Sequence, residues 1–310
     1  MHRNIMLTIA YEGTNYRGWQ IQPNGLTVQE CVERATEKLT GTRCNVLCAG
    51  RTDSGVHALG QVASFRTDST IPATQFRRGL QRFLPEDIAI VQTRAVSDEF
   101  HATYSAVRKR YRYLIFDGPV QPPFMRNLVH RSRRMLNVAA MQKALPNLLG
   151  THDFRCFETN YPNKATSIRT VMEATLQRVP HWSLWTPASV QNATSIQNAT
   201  SIEEDTGLHA RSDSLGHNAA KGHCWQPTDA RPHEDPTSPV ICFEIMADGF
   251  LYNMVRAIVG TLLRIGTGAE SPEYMAAVVA SMDRGQAGCT ATPEGLYLVH
   301  VDYPEELLVA

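Results

Sequence analysis

The hydrophobic positions of the chain switch repeatedly between strand and helix spacing, and the switch points mark its elements. Residues 5–11 (IMLTIAY) alternate and are β-prone, which predicts a strand. A polar, glycine-rich turn follows, GTNYRGWQIQPNG. Thr27 and Glu30 then stand at the T-x-x-E spacing of a capping box, and Val28, Cys31, Val32, Ala35 and Leu39 recur at helical spacing until Gly41. Val46–Ala49 and Gln61–Phe65 read as strands on either side of GRTDSGVHALG, a helix covers about 74–83, and Pro85 stops it. The first hundred residues thus run β-α-β-loop-β-α-β, the order of a ferredoxin-like α+β unit.

A second series begins near Arg108. It has a strand over 109–116, a helix over 137–149 ended by Gly150, strands over 168–178 and 240–246, helices over 251–265 and 272–283, and a strand over 296–302. The expected fold is therefore α+β: two ferredoxin-like halves, residues 1–105 and 106–310, forming a mostly antiparallel sheet around a central basic cleft. Residues 181–239 break the pattern. They contain Ser-Val/Ile-Gln-Asn-Ala-Thr twice in tandem, and the rest is rich in Pro, Ser, Thr, His and Asp. Such a composition buries too little apolar surface to offset ordering entropy. It predicts a largely disordered insertion between two strands that would otherwise be hairpin partners, a length that loop-closure entropy tolerates.

Composition narrows the class. With 43% apolar residues the 310-residue chain can build a proper core, and no apolar run approaches the roughly 18–20 residues of a membrane span. The start, MHRNIMLTIAYEG, has too short an apolar stretch for a secretory signal. Seven cysteines without a C-x-x-C argue for free thiols in a reducing compartment, so the expected location is the cytoplasm. Asn192 and Asn198 form glycosylation sequons that this location leaves unused, and His209, His217, His223, Cys224 and His233 fit no compact metal-ligand spacing.

Formal charge is zero, from 30 basic and 30 acidic residues, but the balance is local. Residues 181–239 hold three basic and seven acidic residues, leaving 27 against 23 elsewhere, a net of +4. Arg108, Lys109, Arg110, Arg112, Arg126, Arg131, Arg133 and Arg134 face only Asp117 within 101–134, with aromatics interleaved. Together with Arg77, Arg78 and Arg82 they suggest a polyanion-binding face rather than a merely solvated one.

The densest chemical signal is Cys48-Ala-Gly-Arg-Thr-Asp-Ser-Gly-Val-His, a turn after a strand. An aspartate in such a turn is commonly structural. Arg51, two residues before Asp53, could share its side, lower the carboxyl pKa and keep an oriented, ionised nucleophile. In KRYRY, strand alternation sets Tyr111 and Tyr113 on one face and Arg110 and Arg112 on the other. His57 could contact substrate or hold the turn by a hydrogen bond.

AGRTDSGVHALGQVASF resembles the signature G-R-T-D-[AS]-G-V-H-A of the TruA family of tRNA pseudouridine synthases. YEGTNYRGWQIQPNGLTVQE, FHATYSAVRKRYRYLI, DGFLYNMVRAIVGTLLRIGTG and ATPEGLYLVHVDYP resemble its other blocks, in family order over about 250 residues. The resemblance implies isomerisation of uridine within tRNA, at positions 38 to 40 of the anticodon stem-loop, with no metal or cofactor. It makes Asp53 the essential aspartate, attacking ribose or base or promoting glycal formation. It makes Arg256 the partner of that aspartate, and Tyr111 the residue that stacks on the flipped uracil, with removal of the carbon-5 proton as a further role. Arg51 would orient Asp53 or contact a phosphate, and Lys109, Arg110, Arg77, Arg78 and Arg82 would contact tRNA phosphates. The family also implies a homodimer in which one tRNA touches both subunits. The alternative reading is a non-catalytic RNA-binding protein on the same scaffold; a hydrolase using Asp53 would need a second acid that the blocks do not supply.

Overall fold

The structure, a computed structural model, describes residues 3–159, 166–180 and 237–309. The first half of the chain forms β1 (Arg3–Tyr11), α1 (Val28–Thr40), β2 (Leu47–Cys48), β3 (His57–Thr67), α2 (Phe76–Gln81) and β4 (Ile88–Val96). The second forms β5 (Arg108–Phe116), β6 (His130–Arg131), α3 (Val138–Ala144), β7 (Gly150–Asp153), β8 (Ile168–Arg178), β9 (Val240–Ala247), α4 (Met254–Gly266), α5 (Tyr274–Ser281) and β10 (Leu296–Asp302). All ten strands join one sheet in the order β4-β1-β3-β10-β5-β9-β8-β7, with β2 on β3 and β6 on β5. Every pairing is antiparallel except β10 with β3 and β6 with β5.

One order occurs twice. β4-β1-β3-β2 and β10-β5-β9-β8 both place the fourth strand beside the first and the third between the first and second, as in a ferredoxin-like unit. The two units meet at a short parallel seam, His57↔Tyr297 and Ala58↔Leu298. Register continues across it, because Ala58 also pairs with Tyr11, Leu298 with Tyr111, and Tyr111 with Ile245. Ala58 and Leu298 therefore lie in the row between Tyr11 and Tyr111.

Local physics accounts for the helix ends. Thr27 accepts a hydrogen bond from the Glu30 amide, as the capping-box spacing predicts, and Gly41 closes α1 in the left-handed region at φ 74°. The helix expected over 137–149 stops as an α-helix at Ala144 and tightens to a 3-10 turn over Leu145–Leu148, because Pro146 cannot donate within an α-helix. The helix expected over 251–265 starts only at Met254, because Asn253 stands at φ 61°. The ladder of β8 and β9 runs to Arg178↔Ile241, so the strands flanking the insertion are hairpin partners. Residues 237–239 belong to that hairpin rather than to the insertion: Asp117 donates its amide to Pro239 O, and the Ser238 hydroxyl accepts from the Val240 amide. Residues 181–236, with the tandem hexads and the His/Cys cluster, lie outside the described residues.

β5 is covered on both faces. Tyr111, Tyr113 and Ile115 join the main core with Ile241, Phe243 and Ile245 of β9 and Val255, Ile258 and Leu262 of α4. Leu114 and Phe116 form a second cluster with Met125, Val129 and Tyr297. Arg110 and Arg112 share the face opposite the tyrosines, where both reach Glu244, at 3.5 and 2.7 Å.

Candidate active site

The loop between β2 and β3 carries Asp53 to the seam. Tyr16 O accepts the Gly55 amide and the Ser54 hydroxyl, and the Trp19 amide donates to Thr52 O. These bonds press the loop on the turn after β1. Gly18 sits at φ +86°, and a Cβ there would lie 2.5 Å from Thr52 O. Gly55 turns the chain at φ +79°. Beneath the loop, the Tyr11 hydroxyl meets Thr52 Oγ1 at 2.7 Å and the Gln61 amide donates to Gly50 O at 2.7 Å. Arg51 and Asp53 thus alternate with residues held from below.

A cleft of about 960 Å³ opens over the seam. Asp53, Arg51, Lys109, Tyr111 and Arg256 all line it. Arg256 Nη1 lies 3.3 Å from Asp53 Oδ2, with both side chains largely withdrawn from solvent. The guanidinium is itself fixed, donating Nε to Ala291 O at 2.6 Å and Nη1 to Asn253 Oδ1 at 3.0 Å. Asn253 precedes α4 but does not cap it; its side chain serves Arg256 instead. Tyr111 is buried among core residues and meets Phe250 edge to face at 4.9 Å. Lys109 donates to Ala49 O at 2.7 Å.

Electrostatics corrects one expectation. Burial pushes the Asp53 carboxyl up, and the charge and hydrogen bond of Arg256 pull it down without offsetting the burial. The lowering expected from Arg51 is absent: Arg51 is exposed at the cleft wall, and the ion-pair partner of Asp53 is Arg256. Burial, with Tyr11 and Asp53 nearby, holds the Tyr111 phenol well above its ordinary value. That makes Tyr111 a poor proton acceptor and leaves it a ring surface.

Other sequence-derived candidates stand elsewhere. His57 is buried outside the cleft lining. Its Nδ1 accepts the Gly13 amide at 2.9 Å, Nε2 meets Glu294 O at 3.2 Å, and the ring stacks on Tyr297 at 4.7 Å. Burial lowers its pKa, and these partners hold it as a neutral strut between the turn after β1 and Glu294. Arg110 pairs with Glu173 at 2.9 Å and with Glu244, on the face away from Tyr111. Arg77, Arg78 and Arg82 are exposed on and just after α2, outside the cleft lining. The basic field expected over 101–134 is narrower than its count, because Arg108 also pairs with Asp302 at 2.5 Å and Arg112 is buried against Glu244. Sequence reasoning missed Asn253, whose bond to Arg256 follows from i,i+3 spacing once the helix start is known, and Gln61, whose partner is a backbone carbonyl.

The family model described as "tRNA pseudouridine synthase" matches residues 7–105 and 144–304. Proteins named tRNA pseudouridine synthase A from a Thermoanaerobacter species and from Acetivibrio thermocellus are 39% and 38% identical, over 97% of this chain and 100% of their own. One named tRNA pseudouridine synthase A 2, from Clostridium tetani, is 32% identical over 98% of this chain and 100% of its own. The chain belongs to the tRNA pseudouridine synthase family. By that membership it is an enzyme, an isomerase.

Proposed function

We propose that the chain converts uridine to pseudouridine in the anticodon stem-loop of tRNA, at positions 38 to 40, with Asp53 as the nucleophile. The supporting observation is the Asp53–Arg256 pair, 3.3 Å apart in a cleft that Tyr111 also lines. The reaction breaks the N1–C1′ bond, forms a C5–C1′ bond, releases the C5 proton and leaves a proton on N1. Reagent atoms from outside are not required, so the site has to hold the freed base and keep water from the sugar. A uridine stacked in RNA is out of reach, and flipping it into the cleft exposes the bond. Tyr111 then presents its ring to the base, while Arg256 aims the Asp53 carboxylate. Arg51 and Lys109, at the cleft wall, take phosphates flanking the flipped nucleotide.

Arg77, Arg78 and Arg82 would meet phosphates farther along the tRNA. His57 and Arg110 have no part in the proposal, because both are engaged inside the protein. The halves divide near residue 105, and two copies of the chain would share one tRNA. Among the described residues no helix is long and apolar enough to cross a membrane, and we place the activity in the cytoplasm.

The test uses tRNA tritiated at uracil C5, without added metal. The proposal predicts label release with the RNA chain intact. Binding without release would leave only an RNA-binding protein, and free uracil would indicate a hydrolase.

A further inference from the structure

Tyr104 is the most exposed large apolar side chain among the described residues, at 84%. Its ring leans on that of His101, 4.4 Å between centroids, and lines the same cleft as Asp53. A ring so exposed gains little from burial, so its position is not explained by core packing. Yet the segment that carries it is tightly held. The amides of Thr103 and Tyr104 both donate to His101 Nδ1, at 3.1 and 3.3 Å. The Thr103 hydroxyl donates to Cys48 O at 2.6 Å, and the Tyr303 hydroxyl to Ala102 O at 2.6 Å. Through Cys48 the segment is tied to the strand that leads into Arg51 and Asp53.

We propose that Tyr104, backed by His101, is a second base-binding position: it stacks on the nucleobase next to the reacting uridine. This rests on the isomerase reading of the cleft. An aromatic face beside cationic side chains suits a nucleotide, whose base offers a π-face and whose backbone offers charge. The cleft supplies both, since Arg17, Arg51 and Lys109 line it with Tyr104. The immediate neighbours Thr103 and Ser105 are polar, which suits a single stacked ring better than an apolar protein interface. Flipping one uridine unstacks its neighbour, and a ring carried at the rim on a segment already held replaces the lost stacking at a reduced ordering cost.

The experiment measures affinity for an anticodon stem-loop RNA by fluorescence anisotropy, with the full chain and with Tyr104→Ala, Tyr104→Leu and Tyr104→Phe. Gel filtration and release of tritium from uracil C5 are followed in parallel. Alanine and leucine are expected to weaken binding by roughly 5- to 150-fold, and phenylalanine to stay within about twofold of the parent, because stacking uses the ring face alone. Affinity unchanged in the alanine variant overturns the proposal, as does leucine binding as well as phenylalanine. A change of oligomeric state without a change of RNA affinity also overturns it, in favour of a second copy of the chain on this surface. If the parent releases no tritium yet binding still needs the aromatic ring, the isomerase reading fails while the base-binding ring stands.

Discussion

For the proposed attack Asp53 must be ionised, and burial works against ionisation. Its carboxyl pKa stays raised from the ordinary aspartate value even with Arg256 beside it. The sign of the pH dependence follows. Activity should fall as pH drops through that raised pKa, so the acid limb of kcat/KM lies at higher pH than an exposed aspartate would set. Arg256→Gln removes the two influences that oppose burial. The limb should then move to still higher pH and kcat/KM fall by about 100-fold or more; an unmoved limb would contradict the pairing. The same shift acts on stability. A carboxyl raised in the folded state favours folding while protonated, and that contribution is lost as pH rises through the folded value. Asn253 gives a second opposition of sign. Asn253→Gly should relieve the left-handed backbone, stabilising the fold by up to about 1 kcal/mol. It also removes an acceptor that fixes Arg256, and a misaimed guanidinium should lower kcat/KM by about 10- to 100-fold. Thermal melts and steady-state kinetics on one preparation check both. Asp53, Tyr111 and Arg256 were legible as candidates for one cleft, because their neighbours form a dense pattern in the chain. The direction of the Asp53 shift was not, because burial depends on distant segments.

At the scale of elements, the chain states its own local rules clearly. The Thr27 cap of α1 and the alternation of β5 needed only short-range reading. The start of α4 did not yield, because the spacing that marks its buried stripe runs on through Leu251 and gives no sign of the left-handed Asn253. The short strands β6 and β7 have too few residues to show a period. The partners of Arg110 and Arg112 escaped for another reason: Glu173 and Glu244 lie on β8 and β9, far away in sequence. The loop that carries Asp53 depends on the turn after β1 as an element, which makes Gly18 its test. Gly18→Ala places a methyl against Thr52 O in a backbone conformation unfavourable to alanine. It should destabilise the protein by about 1–3 kcal/mol and lower activity beyond the loss of folded protein. Normal activity with normal stability would show that the loop does not rest on this turn.

For the whole molecule, the sheet ladder that joins the two halves has two residue pairs, between β3 and β10, and the cleft lies over that seam. Repetition of one strand order was legible from the order of elements, whereas a parallel contact between residues 57–58 and 297–298 leaves no local trace. The insertion leaves β8 and β9 in register, with Val179 donating its amide to Val240 O at 3.0 Å. Joining residue 180 to residue 237 through a short turn should therefore keep the melting temperature within a few degrees; a large drop would show that the segment supports the fold. The account as a whole stands on one side chain. Its most direct test compares the parent with Asp53→Asn for tritium release from uracil C5 of tRNA and for tRNA affinity. The account predicts release lost in the variant with affinity largely kept; equal turnover by the asparagine variant would contradict it.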